Sequence, residues 1–229
     1  MPTLSMQDYA KALYVLEQRQ PGRISTSALA SYLDLSPAAV TEMLHRMAKV
    51  QPPLVDYRPR RGARLTTEGQ RLALRMLRRH RLLERFLHDV LGFPLEQVHT
   101  EAERLEHAVS DAFIQRLAAW MGEPKSDPHG HPIPGPDLQP PDAPGRPFRS
   151  LAPDARAQVV QVCDRDPEQL RRLAALGLRP GQRFRVLERD PYEPVFRIRL
   201  EPQGTEVLVG PRLAAALRVE PLATEASSS

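Results

Sequence analysis

Six side chains of metal-ligating type recur at helical spacing. His80 and Glu84 stand at i, i+4, and His99, Glu103, Glu106 and His107 fall at relative positions 0, 4, 7 and 8. At roughly 100° per residue the second set shares one face of a helix expected over 94–121. The opposite side of that helix carries Leu105, Val109, Ala112, Phe113 and Leu117, so the polar stripe borders a core face. Clustered carboxylates repel one another, and a divalent cation that accepts N and O donors reverses that balance. Each element also has a plainer reading. His80 and Glu84 make an exposed helix pair, His99 begins a helix, Glu103 and Glu106 pair with Arg104 or Arg85, and Asp8, three residues after Ser5, is the acidic member of a capping box. His129 and His131 lie in a proline-rich stretch and read as solvated.

A second chemistry is written into residues 25–65. Two short helices are joined by a tight connection, with Ser36 as N-cap and Pro37 in the first turn of the second. Leu29, Leu33, Val40, Leu44 and Met47 can share a core, which leaves Ser36, Pro37, Ala38, Ala39, Thr41, Glu42 and His45 as a small, polar face at a helix start. Such a face suits entry into the major groove. A hairpin should follow in LVDYRPRRGARLT, turning at Gly62 and crowding Arg58, Arg60, Arg61 and Arg64 at its tip, where they would meet phosphates or the minor groove. An ordinary helical hairpin with a solvated basic loop is the alternative.

These groups need elements to hold them, and the 229 residues leave room for two or three small domains. Helical periodicity marks 5–19, 25–33, 36–50, 66–91 and 94–121. Nine of the 24 prolines fall between Pro124 and Pro147, a linker or irregular tether in which no helix persists. Beyond it a short helix starts at Asp166 and Pro167 and stops at Gly177. Three strand-like runs, FRVLER, VFRIRLE and TEVLVG, then suggest a small, strongly bent sheet or barrel. The chain is mainly α. The expected division is a winged helix-turn-helix over 1–72, a helical dimerisation and metal-binding domain over 73–140, a proline-rich linker over 141–150, and a small β-barrel over 151–229 with a disordered tail. The net charge is +4, carried by 29 arginines and only three lysines, Lys11, Lys49 and Lys125. One cysteine, Cys163, excludes an intrachain disulfide, and no apolar run is long enough for a membrane span, so a cytoplasmic protein with no membrane partner is expected.

The run RRHRLLERFLHDVLGFPLEQVHTEAERLEHAVSD, continuing to DPHGHPIPG, closely resembles the dimerisation and metal-binding region of the diphtheria toxin repressor family of iron- and manganese-dependent regulators. SMQDYAKALYVLE and LSPAAVTEM are similar to its manganese-type members, and LRRLAALGLRPGQ with LVGPRLAAALRVEPL to the SH3-like C-terminal domain of its longer ones. The resemblance implies a metal-dependent regulator of manganese or iron homeostasis genes, a repressor or dual regulator, homodimeric on a palindromic double-stranded operator. It implies Mn2+ or Fe2+, with other divalent metals active in vitro. It places a primary metal site at Asp8, Glu103, Glu106 and His107, and an ancillary one at His80, Glu84 and His99, completed by Gln158 and Gln161, with Asp164 an alternative. Iron-type members carry Met and Cys where this chain has Asp8 and Glu103, and the harder oxygen ligands favour manganese. Manganese regulators with a binuclear site carry Glu where Lys11 stands. A metal-independent winged-helix regulator and a metalloenzyme are the rival readings. No nucleophile or acid and base pair with a context of its own supports the latter.

Overall fold

The computed structural model describes residues 3–20, 22–164, 166–190, 192–193 and 195–223. The expected disordered tail falls largely on 224–229, outside the described residues. Two compact units partition the chain: Met1–His80 with Glu106–Val109 and Pro134–Pro141, and Arg81–Leu105 with Ser110–Ile133 and Asp142–Ser229.

The first unit opens with α1 (Leu4–Glu17), α2 (Thr26–Leu33) and α3 (Pro37–Lys49). Thr3 Oγ1 caps α1 by accepting from Met6 N, so the capping box expected from Ser5 and Asp8 does not form, and Asp8 is left for other work. Ser25 and Ser36 cap α2 and α3 in the same way, and Pro37 follows in the first turn of α3. Asp34 closes α2 in the left-handed conformation, making the tight connection between the two helices. Leu29, Val40, Leu44 and Met47 are buried together with Leu13, Ile24 and Val55, while Leu33 packs at the edge of this cluster.

The antiparallel pair β1 (Val55–Arg58) and β2 (Gly62–Leu65) makes the expected hairpin. Gly62 has a positive φ of 86°, and a Cβ there would meet Ile24 O at 2.3 Å, so any side chain would both strain the turn and push the hairpin off the segment before α2. The helix α4 (Thr67–Asp89) begins in this unit and ends in the second.

The second unit holds α5 (Leu95–Leu105), α6 (Asp111–Trp120) and a six-stranded antiparallel sheet. The single helix expected over 94–121 is thus two. Ser110 Oγ accepts from Phe113 N and starts a new helix with Asp111 in its first turn, although the apolar period runs on unbroken across the gap. Glu106 and His107 fall beyond the end of α5.

The sheet is built from β3 (Arg146–Pro147), β4 (Arg156–Val162), β5 (Arg183–Arg189), β6 (Phe196–Glu201), β7 (Glu206–Val209) and β8 (Leu217–Pro221), in the order β3-β8-β4-β5-β6-β7. The helix α7 (Pro167–Ala175) lies between β4 and β5 in the chain, and the short α8 (Pro211–Ala215) between β7 and β8. Alternate residues Phe184, Val186, Phe196, Ile198 and Leu200 point into a core. Phe148, inside the stretch expected as linker, is fully buried there, with ring centroids 5.4 Å from Phe184 and 5.0 Å from Phe196. Aromatic pairs of this kind contribute about 0.5–1.5 kcal/mol each beyond burial. No helix among the described residues is long and apolar enough to cross a membrane.

Candidate metal and nucleic-acid sites

In the first unit, α1 brings Asp8 to the turn that follows α5. His107 Nδ1 lies 3.0 Å from Gln7 Oε1, to which it donates, and Nε2 is therefore the nitrogen presented to Asp8 Oδ1 at 2.8 Å. Glu106, with no exposed side-chain surface, lies 3.6 Å from the same Nε2 through Oε1. Ligand atoms of Asp8, Glu106 and His107 all lie within 4.8 Å of one another.

Lys11 Nζ donates to Glu106 Oε1 at 2.6 Å, and His80 Nδ1 is 2.6 Å from Oε2. Burial opposes ionisation of Glu106 most strongly, yet His80 and Lys11 together hold its carboxyl below the ordinary range. For Asp8 the balance is reversed: burial raises its pKa despite His107 and Lys11.

His80 sits with Glu106 in the first unit, and Glu84 and His99 are counted in the second. Glu103 belongs to the second unit too, its carboxylate 3.9 Å from His99 Nε2.

A denser cluster occupies the second unit. Buried Glu84 lies 3.1 Å from His99 Nδ1, and Asp164 Oδ2 lies 3.8 Å from that nitrogen. Gln158 and Gln161 remain in β4, Gln158 paired across the sheet with Arg183 and Glu220 and Gln161 with Arg218. Asp164, at the end of β4, is the member of that segment that joins Glu84 and His99.

The expectation that His129 and His131 are solvated is overturned, for His129 is fully buried. Asp127 Oδ1 accepts from the backbone N–H of both His129 and His131, at 2.8 and 2.9 Å, and folds the segment back on itself. His129 O accepts from Val162 N, and Gly130 packs so tightly that a Cβ would meet Val160 O at 1.9 Å. The alternation of Asp, His and His in DPHGHP, with Gly between the histidines, is the signal that marks such a turn. His131 Nδ1 lies 3.0 Å from Asp127 Oδ2 and 3.8 Å from Asp164 Oδ2. Burial disfavours the charged form of Asp164, but His131, His99 and His129 outweigh it and hold the carboxyl low.

The ring of His129 gives the cluster its meaning. Its Nε2 is 3.1 Å from Leu95 O, a pure acceptor, so Nε2 carries the proton. Nδ1 is buried and has no hydrogen-bond partner among the described residues, 3.9 Å from Glu84 Oε2 and 4.0 Å from Asp127 Oδ1. Buried polar atoms left without a partner are costly, and a cation among these three would engage them. The donors are carboxylate oxygen and imidazole nitrogen, a set that divalent transition metals accept.

The nucleic-acid face is built on α3. Ser36, Pro37, Ala38, Ala39, Glu42 and His45 are exposed, and Thr41 is half-buried with its hydroxyl donating to Pro37 O at 2.8 Å. His45 meets Tyr57 of β1 edge to face at 4.9 Å, fixing the helix against the wing. Asp56 is paired with Arg23 and lies 3.6 Å from Arg58. Arg60 takes the left-handed conformation at the tip, and the side chains of Arg60, Arg61 and Arg64 are exposed.

Three family models match in sequence along the chain. They are the iron dependent repressor N-terminal DNA binding domain over 1–63, the iron dependent repressor metal binding and dimerisation domain over 66–135, and the FeoA domain over 147–221. The diphtheria toxin repressor of Corynebacterium glutamicum is 31% identical over 223 residues, which cover 93% of this chain and 94% of the relative. The chain belongs to the iron-dependent repressor family. Its α3 and wing are those of a family DNA-binding domain, its helical middle is the family's metal-binding and dimerisation domain, and its sheet is the FeoA domain, SH3-like as the resemblance implied. Members of this family are metal-dependent, DNA-binding transcriptional regulators of metal homeostasis and not enzymes. Among solved repressors, a manganese-dependent transcriptional repressor in complex with manganese superimposes with a TM-score of 0.87 at 37% identity, over 95% of this chain and all of the other. ScaR with bound Zn2+ gives 0.80 at 30% identity, over 96% of this chain and all of the other.

Proposed function

We propose that this repressor responds to manganese, takes up divalent ions at two places and acts in the cytoplasm as a homodimer on a palindromic duplex operator. Asp8, Glu106 and His107 would hold one ion. Glu84, His99, His129 and Asp164, with Asp127 and His131 beside them, would hold another. The observation that carries the reading is the buried, unpartnered His129 Nδ1 facing Glu84 and Asp127, an arrangement that a cation would complete.

A bound ion supplies the positive charge that lets these carboxylates share a site. The donors include no thiolate, and carboxylate oxygen is a donor type that suits manganese, with selectivity set by ligand type and geometry and not by raw affinity. Glu103 keeps its assignment to the first site only from the family resemblance. Asp8 and Gln7 tie α1 to His107, so the geometry of α1 and the integrity of the site depend on each other. Exposed Phe113 and Trp120 on α6 supply the dimer contact. Leu82, Leu83 and Leu87 are buried and leave no comparable face on α4. Two copies of α3 would then meet successive major grooves, with Arg60 and Arg61 on flanking phosphates.

The test is an operator-binding titration of chelator-treated protein with Mn2+, Fe2+ under anaerobic conditions, Co2+ and Zn2+. Half-maximal binding at micromolar Mn2+ and none with chelator is expected. Equal operator affinity with and without chelator would refute the metal-dependent reading, and activation by Zn2+ but not Mn2+ would refute the choice of metal.

A further inference from the structure

Glu106 is engaged on both sides by the chain itself. Lys11 Nζ sits 2.6 Å from Oε1 and His80 Nδ1 2.6 Å from Oε2, while the carboxylate has no exposed surface. A buried carboxylate needs a nearby positive charge or strong donors. Lys11 provides that charge from α1, three residues after Asp8 and on the same face of the helix. The ammonium therefore stands against the very oxygen that lies 3.6 Å from His107 Nε2, inside the group of Asp8, Glu106 and His107. A divalent ion using that oxygen and a lysine ammonium bonded to it would stand a few ångströms apart, and at that separation inside a protein their repulsion is large.

We infer that Lys11 is an internal competitor of the divalent ion: it neutralises Glu106 in the metal-free protein, must withdraw for that carboxylate to become a ligand, and so sets the metal concentration at which the regulator responds. The inference rests on the metal-site reading given above. It differs from a purely structural ion pair in sign. A structural pair, once removed, would weaken both the fold and the metal site, whereas removal of a competitor weakens the metal-free site and tightens its hold on metal.

The experiment uses the full chain, freed of metal and checked by circular dichroism, with Mn2+ binding measured by calorimetry on the wild type, Lys11→Met and His107→Ala. Lys11→Met should bind Mn2+ about ten-fold more tightly, a change of about 1.4 kcal/mol, and His107→Ala more weakly. A second measurement needs no variant. The chain has only Lys11, Lys49 and Lys125, so acylation of the wild type by acetic anhydride, followed by peptide mass spectrometry, reports each amine separately. Labelling of Lys11, shielded to 13% exposure in its ion pair, should rise several-fold at saturating Mn2+, with Lys49 unchanged as the internal reference. Equal or weaker Mn2+ affinity in folded Lys11→Met, or Lys11 labelling that fails to rise, overturns the inference. Should Lys11→Met not fold, the labelling decides alone. If His107→Ala binds Mn2+ like the wild type, the metal-site reading itself fails and the inference with it. Weakened His107→Ala beside unchanged Lys11→Met removes Lys11 alone.

Discussion

His129 turns Nδ1, which has no hydrogen-bond partner, towards the buried carboxylate of Glu84, 3.9 Å away, while its Nε2 is committed to Leu95 O. An amide at position 84 can donate to that nitrogen where a carboxylate cannot. Glu84→Gln should therefore raise the thermal midpoint of the metal-free chain by about 2–4 °C, the effect of roughly 1 kcal/mol in a chain of this size. It should also shrink the further rise that Mn2+ produces. A lower metal-free midpoint with the full Mn2+ response would show that the pair is not waiting for a cation.

Replacing Arg60 and Arg61 by Ala together should weaken binding to operator and to random duplex alike. The slope of log affinity against log salt should become shallower by about two, one for each phosphate that is no longer neutralised. Affinity that is unchanged at every salt concentration would take the wing tip off the DNA.

Asp8 is not needed as a helix cap, because Thr3 fills that role. Asp8→Ala should leave the far-ultraviolet dichroism and the metal-free midpoint close to wild type, within about 0.5 kcal/mol as for other half-exposed positions. It should shift the Mn2+ midpoint for operator binding upward by about ten-fold or more. A wild-type midpoint would sever α1 from the metal response.

Arg156 holds Glu201 from both oxygens, at 3.0 and 2.8 Å, across the sheet. The hydrogen bonds from Arg156 outweigh partial burial and keep the Glu201 carboxyl below its ordinary range. A folded-state pKa below the unfolded value, about 4.3 for Glu, adds stability that is present in full above the unfolded value and disappears as pH falls through the folded one. Glu201→Gln should accordingly cost about 1 kcal/mol at pH 7, with the difference from wild type closing as pH falls below about 4.3 and through the lowered folded-state value. A difference that persists at pH 2 would assign the effect to packing.

Local signals in the sequence carried the DNA-binding module almost intact, because Ser25, Ser36, Pro37 and Gly62 each fix a boundary through their own backbone chemistry. The site was legible in its residue types and less so in its grouping. Helical phase placed Glu106 and His107 on one face with His99, but Ser110 restarts the helix, and periodicity carries no trace of that break. His80 meets Glu106, a neighbour distant in the chain that i, i+4 spacing cannot reveal. Proline density in 124–147 correctly argues against a helix, yet it says nothing of Asp127 folding the segment and burying His129. Strand β4 escapes a period-two reading because a bulge between Val159 and Gln161 shifts its alternation.

The restart of the helix at Ser110 has a consequence for how such a regulator can change over generations. Residues on one continuous helix are phased together, so a single insertion would rotate every later ligand by roughly 100°. Glu106 and His107 lie instead in a turn, where a change of length is absorbed locally. A change of length there can therefore reshape the cluster around Glu106 and His107 while His99 on α5 keeps its aim, so the two groups of side chains are free to diverge one at a time.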